Sequence, residues 1–285
     1  VEGGGITTVE SIPEGVHAPF LTAGQPLTRE LLEEQEARFM GLMDELIARA
    51  ERHQAVIRVI GSLAYRKRCP DYKHIEYDSG RYLTDVDFVT YSRDIAGVQD
   101  MFQELGWEEN MNVLRLFGDK RRIFYHPDLP LHSDVFIDKL RFCHEIDFRG
   151  RLELGTVTIP LVDLLLEKLQ IVEINRKDLI DVMVLLCQYE VSETPGAADS
   201  IDGRRVADLC GRDWGWWRTA TMNIRKSRDF AAGFLSGEEA EKVEGRLKTL
   251  SALIMERPKA IGWKLRSMIG DRLRWYREVE EVERD

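Results

Sequence analysis

Thr84-Asp85-Val86-Asp87-Phe88-Val89-Thr90-Tyr91 is the stretch whose reading decides the fold of this chain. Its β-branched and aromatic residues alternate with polar ones at the two-residue period of a strand. Side chains alternate across a strand, so Asp85 and Asp87 project from one face while Val86 turns to the other. Two carboxylates so placed repel each other, and a divalent cation between them relieves the repulsion. Magnesium takes hard oxygen ligands and shares them with substrate phosphates, so the pattern points to phosphate chemistry.

Upstream, Ala55-Val56-Ile57-Arg58-Val59-Ile60 reads as a buried strand that stops at Gly61-Ser62. A small Gly-Ser turn lets backbone N–H groups and the Ser62 hydroxyl come close to phosphate oxygens. A long amphipathic helix is expected before it, with Thr28 as N-cap and Leu31, Leu32, Phe39, Leu42, Met43, Leu46 and Ile47 at helical spacing. Residues 1–27 are rich in Gly, Pro and Thr and read as an arm or loose lead-in. No basic segment followed by an apolar one opens the chain, so a secretion signal is not expected. The first residue is Val1 rather than Met, which suggests a processed or missing start.

Downstream, Ser92 is expected to cap a helix through Ile95, Val98, Met101, Phe102 and Leu105, closed by Gly106. Strands follow around Arg122-Ile123-Phe124-Tyr125 and Ser133-Asp134-Val135-Phe136-Ile137, joined as a hairpin by His126-Pro127-Asp128-Leu129-Pro130. Asp134 would bring a third carboxylate from a neighbouring strand and complete a two-metal site. One ion there lowers the pKa of an attacking hydroxyl and the other neutralises leaving pyrophosphate. Asp134 would support the ion on the nucleophile side and accept the proton. Asp138 is its rival four residues on, and His132 lies two residues before it on the same face.

Thr156-Val157-Thr158-Ile159 reads as a short strand, and Pro160 opens a helix over 161–174. Asn175 caps a further helix over 177–189, and Glu193-Thr194-Pro195-Gly196-Ala197-Ala198-Asp199-Ser200 is the linker candidate. Beyond it the pattern is helical. Ser236 with Glu239 makes a capping box ahead of Val243, Leu247, Leu250 and Leu253, and a last helix spans 262–283. Trp214-Gly215-Trp216-Trp217 reads as the core of a small helical domain before it reads as a base-stacking surface.

The net charge of −10 excludes a general nucleic-acid coating protein, which needs a large positive field. The charge is uneven: residues 200–285 hold 18 Lys and Arg against 15 Asp and Glu, about +3, which leaves about −13 for the rest. The longest apolar runs fall far below a membrane span, so no membrane partner is expected. Cys69, Cys143, Cys187 and Cys210 are scattered without a Cys-x-x-Cys pair, the usage of a reduced, cytoplasmic setting. Cys69 with His74, and Cys143 with His144, do not supply the four ligands of a zinc site.

The strand ending in Gly61-Ser62, the Asp85-Val86-Asp87 pattern followed by apolar residues, and Asp134 on a later strand together resemble the nucleotidyltransferase superfamily. The resemblance covers roughly residues 30–190 and is closest to the bacterial branch grouped with abortive-infection toxins and stand-alone nucleotidyltransferase-like proteins. It implies an α+β fold: a small mixed β-sheet core with flanking helices, then an α-helical C-terminal domain that shapes the acceptor site. The division would be an arm at 1–27, the catalytic domain at 28–192, a linker at 193–200 and the helical domain at 201–285. The implied reaction moves a nucleoside monophosphate from a nucleoside triphosphate to an acceptor hydroxyl or phosphate, on a small molecule, protein or RNA. Mg²⁺ or Mn²⁺ would be held by Asp85, Asp87 and Asp134, the catalytic residues, with Gly61 and Ser62 gripping the phosphates. Asp134 is preferred to Asp138 because Val135-Phe136-Ile137 resembles the family's third-carboxylate strand.

The branch also carries a late helix with Lys and a basic-Asp-x-x-Asp pattern, matched here by Lys168 and Arg176-Lys177-Asp178-Leu179-Ile180-Asp181. The resemblance implies that Lys168 or Lys177 contacts the triphosphate while Asp178 and Asp181 orient them or the acceptor. The plainer reading of the four is a solvated helix face with i,i+4 pairing. One departure stands out: 22 residues separate Ser62 from Asp85, about twice the family spacing. Residues 63–84 are therefore expected to be an inserted loop. It is either a substrate-gripping flap using Arg66, Lys67, Arg68 and Arg81, or a decorative insertion. Two further readings remain open: a catalytically inactive nucleotide- or partner-binding relative (an antitoxin or regulator), and a toxin-like enzyme that modifies tRNA. The second needs a basic face, which the charge of the first 199 residues opposes.

Overall fold

Ile57–Ile60 (β1) and Asp87–Thr90 (β2) run antiparallel, with Ile60 opposite Asp87 and Ile57 opposite Thr90. The computed structural model describes residues 12, 18–22, 24–194 and 199–278. Strand β2 begins at Asp87 rather than at residue 84. Its partner β1 ends at Ile60, where the chain turns at Gly61, so nothing on β1 is left to pair with Asp85. Glu108–Glu109 (β3), Arg121–Tyr125 (β4) and His132–Ile137 (β5) complete a five-stranded mixed sheet in the order β1-β2-β5-β4-β3. Strands β2 and β5 run parallel, with Phe88 beside Val135; β4 and β5 form the expected antiparallel hairpin, with Ile123 opposite Asp134.

Helix α1 (Arg29–Arg52) starts where Thr28 Oγ1 accepts from Leu31 N at 3.3 Å. Its buried stripe is Leu32, Phe39, Met43, Leu46 and Ala50. Burying each of the larger side chains stabilises the fold by about 1.5–3 kcal/mol. Gln35 and Glu36 are buried beside that stripe, and both are satisfied. The Gln35 amide donates to Pro19 O at 2.8 Å and to Leu83 O at 3.0 Å, and its oxygen accepts from Leu83 N. The described part of the expected arm is not loose: Ile12, Ala18 and Leu27 are buried with Leu32, Tyr77 and Tyr82. The rest of residues 1–27 lies outside the described residues.

Of residues 63–84, the part up to Asp78 is largely helical rather than a loop, and 79–84 are turn and coil. Helix α2 (Gly61–Arg68) follows β1 directly, a 3₁₀ turn spans Pro70–Tyr72, and α3 (Lys73–Asp78) follows. Helix α4 (Ile95–Glu104) buries Val98, Met101 and Phe102 as its periodicity requires. Its start differs from expectation. Ser92 lies in a 3₁₀ turn, and Asp138 Oδ1 accepts the Ser92 N–H at 3.0 Å. Helix α5 (Met111–Phe117) is capped by Asn110, whose side chain accepts from Asn112 N and Val113 N. Of the strand expected at 156–159, a single bridge between Val59 and Thr158 is formed.

The chain divides into two compact units, Val1–Asp138 with Thr156–Thr158, and Lys139–Gly155 with Ile159–Asp285. The second holds the hairpin Lys139–Arg141 (β6) and Glu145–Asp147 (β7), then α6 (Leu161–Leu169) and α7 (Arg176–Gln188). Asn175 and Asp178 form a capping box at the start of α7. The parallel pair Glu190–Ser192 (β8) and Ser200–Asp202 (β9) is followed by α8 (Gly203–Arg212), α9 (Trp214–Phe234), α10 (Gly237–Glu256) and α11 (Ile261–Ile269).

Helices α6 and α7 belong to the second unit together with α8, α9, α10 and α11. Val182, Met183, Val184, Leu185 and Leu186 of α7 are all 0% exposed. Arg246 of α10 donates to Cys187 O at 2.8 Å. The pattern at 193–200 marks a connection between β8 and β9, and residues 195–198 lie outside the described residues. At α10 the expected capping box is absent: the Ser236 side chain makes no capping bond, and Gly237 turns the chain at φ +55°. Helix α11 stops at Gly270, whose φ of +60° breaks the helix expected to reach residue 283.

Among the described residues the fold is mixed α/β, with eleven α-helices and a small mixed sheet. No described helix is long and apolar enough to cross a membrane, and all four cysteines are free and buried.

Candidate active site

The sheet register assembles the site. Asp87 stands opposite Ile60, the last residue of β1, so the turn at Gly61 runs past its carboxylate. Gly61 takes φ +68°, a conformation open to glycine at little cost. A Cβ placed there would lie 3.6 Å from Asp87 Oδ2, so the backbone of the turn and the carboxylate are close neighbours. Ser62 is buried in the first turn of α2. From the other side, Asp134 precedes Val135 just as Asp87 precedes Phe88, and Phe88 and Val135 are parallel partners. The Asp134 N–H donates to Asp87 Oδ1 at 3.1 Å.

Asp85 joins them from the coil before β2. Val86 is fully buried while Asp85 and Asp87 are half-buried, which is the alternation expected of the pattern. Thr84 Oγ1 donates to Asp85 Oδ2 at 3.0 Å, and Ser133 Oγ donates to Val86 O at 2.6 Å, so both ends of the acidic segment are anchored. Burial first, and then the charges of Asp85 and Asp134, hold the Asp87 carboxyl well above the usual carboxylate range. The Asp134 N–H and the Arg121 charge oppose that shift without cancelling it. The charges of Asp85 and Asp134 thus both bear on Asp87, whose carboxylate lies beside the Gly61 turn.

The charge of Asp134 already has a partner. Arg121 donates from Nε to Oδ1 at 3.0 Å and from Nη2 to Oδ2 at 2.7 Å, a two-point pair across the β4–β5 hairpin. Asp134 is 3% exposed. His132 Nε2 approaches its Oδ2 at 4.0 Å. Among the described residues no group of three His, Cys, Asp or Glu side chains is set for a metal ion. Both Asp134 oxygens are held by Arg121. Asp138 is not part of the site, since at φ +59° it leaves the strand and receives the Ser92 N–H instead.

Arg66 is far from a phosphate-gripping flap in character: it is 1% exposed inside the first unit. It donates to Glu36 Oε2 at 3.0 Å and to Arg81 O at 2.9 Å, pairs with Glu76 at 3.0 Å, and lies 4.5 Å from the Tyr77 ring centre. Lys73 and the Tyr77 hydroxyl also bond Glu36. Burial together with that Glu36 bond pushes the Tyr77 phenol up to about 12. The whole 63–84 segment is clamped to α1 by this network, and Arg81 is buried with it.

In the second unit, Lys168, Asp178 and Asp181 form one buried cluster. The Lys168 ammonium lies 2.9 Å from Asp178 Oδ1 and 2.9 Å from Asp181 Oδ2, and Asp181 is 0% exposed. Asp178 also closes the α7 capping box. A solvated-face reading therefore fails for these three, while Lys177 does lie on the exposed side of α7.

Comparison with protein-family models, with curated proteins and with solved structures gives no match. The reading of the site rests on its geometry and on the motif. Sequence reasoning missed Arg121. A signal for it was present, because an antiparallel hairpin with Ile123 opposite Asp134 sets Arg121 diagonally across from the acid.

Proposed function

We propose that this chain is a divalent-metal-dependent nucleotidyltransferase of the superfamily its motif resembles, moving a nucleoside monophosphate from a triphosphate to an acceptor hydroxyl or phosphate. The observation that carries the reading is the convergence of Asp85, Asp87 and Asp134 beside the Gly61 turn. Asp85 and Asp87 fit a Mg²⁺ or Mn²⁺ ion, since their crowding is a repulsion that a cation relieves. Such an ion, when bound, screens the triphosphate and lowers the pKa of the attacking hydroxyl.

The chain's own residues do the rest. The backbone of the Gly61-Ser62 turn is small enough to meet phosphate oxygens. Asp134 is placed to orient the acceptor and accept its proton as the acceptor oxygen bonds to the α-phosphorus. The bond to the bridging oxygen then breaks, and pyrophosphate leaves with the electron pair. Arg121, released from Asp134, would then face developing negative charge, the role planar guanidinium groups serve best. Four free, buried cysteines support a cytoplasmic setting.

A second reading, a binding-only relative, has one observation in its favour: Arg121 already neutralises Asp134 as a cation would. The two are separated by incubating the chain with each α-phosphate-labelled triphosphate, cell extract, and Mg²⁺ or Mn²⁺. The enzyme reading expects label on an acceptor with wild type and none with Asp85→Ala/Asp87→Ala. Absence of label with wild type, for all four triphosphates and both metals, leaves the binding-only reading standing.

A further inference from the structure

Around the start of α9 the second unit forms an open cavity of about 700 Å³, inside the size range of small-molecule sites. Its walls are aromatic: Trp214, Trp216, Trp263, Trp275 and Tyr276 all line it. Four arginines line it, Arg212, Arg266, Arg274 and Arg277, with Glu145 and Asp213. Arg274 pairs with Glu278 and Arg277 lies 3.6 Å from Glu145, which leaves Arg212 and Arg266 as its cationic excess. His144 adds no charge near neutral pH, since burial holds its ring down to about 4.

The walls are held in place. The Thr219 hydroxyl bonds both His144 Nε2 at 2.8 Å and Trp275 Nε1 at 3.0 Å. The Arg266 guanidinium lies 4.7 Å from the Trp214 ring centre and donates to Gly270 O and Leu273 O at 2.7 Å each. Gly215 permits the close approach of the last segment, because a Cβ there would come within 2.5 Å of Trp275 O. Trp214 and Trp216 are buried, whereas Trp263, Trp275 and Tyr276 keep part of their faces open. The aromatic cluster is therefore half core and half pocket wall. Arg212 is exposed and enters no ion pair among the described residues.

We propose that this cavity binds a nucleotide unit, a planar base carrying a phosphate, offered by a free nucleoside monophosphate or by the phosphorylated end of an oligonucleotide. Aromatic faces accept any nucleobase, and arginine forks match phosphate oxygens at two points. The net charge of −10 suits a site for one terminal nucleotide rather than a track along a polymer. The inference stands apart from the carboxylate site and does not depend on catalysis there.

Quenching of tryptophan fluorescence tests it on the full chain without metal. The titrants are AMP, a 5′-phosphorylated trinucleotide, adenosine and inorganic phosphate. Saturable quenching is expected, with AMP bound at least tenfold more tightly than adenosine or phosphate alone. The tighter of AMP and the trinucleotide identifies the source. Arg212→Glu/Arg274→Glu should weaken AMP at least tenfold with an unchanged circular dichroism spectrum and Tm. Asp87→Asn should leave AMP binding as it is, which separates this cavity from the carboxylate turn. No saturable quenching, AMP no tighter than adenosine, full affinity in the double arginine variant, or loss in Asp87→Asn would each overturn the inference.

Discussion

Asp87 concentrates the electrostatic cost of the site. Burial and two neighbouring acids raise its folded pKa above the unfolded value, so the folded state holds the proton more tightly. Stability from this group is then present at low pH and is lost as pH rises through the folded pKa. Asp87→Asn keeps the oxygen that accepts the Asp134 N–H and removes the charge. It should stabilise the metal-free protein at about pH 7–8 by about 1 kcal/mol, a Tm gain of about 2–4 °C, while label transfer is lost. The gain should vanish in acid, where wild-type Asp87 is itself protonated; a loss of stability at neutral pH would contradict this assignment. The acids were legible from the sequence because a two-residue period fixes which side chains share a face. Arg66 and Arg121 were not, since the residue type is the same for a guanidinium that grips phosphate and one buried against Glu36 or Asp134.

At the scale of elements, legibility followed the length and strength of the pattern. Helix α1 and the hairpin β4–β5 carry many residues at one period and came out where expected. Strand β3, with two residues, and the three-residue strands β6 and β7 carry too few to show a period. Helices α2 and α3 read as a loop because their buried residues are Arg66, Glu76 and tyrosines as much as aliphatics, so no apolar stripe marks them. The α6–α7 pair gives a test of its own. Lys168→Met would leave Asp178 and Asp181 buried without their cation, at a cost of about 3–5 kcal/mol. Urea unfolding measures it, and a change below about 1 kcal/mol would mean that the cluster is solvated after all.

Across the whole molecule, the chain divides into two compact units, and α6 and α7 fall in the second. The units follow where apolar faces are shared, and α6 and α7 share theirs with α8, α9 and α10. Net charge bears on partners rather than on fold: −10 opposes coating a polyanion but leaves room for a small site for one nucleotide. The account as a whole turns on whether the acidic turn is built to hold a cation under a triphosphate. Calorimetric titration of each nucleoside triphosphate into wild type and Asp85→Ala, with and without Mg²⁺, tests that most directly. The account predicts that Mg²⁺ tightens binding of at least one triphosphate tenfold or more in wild type and has no effect in Asp85→Ala; equal affinity with and without the metal, unchanged by the substitution, would contradict it.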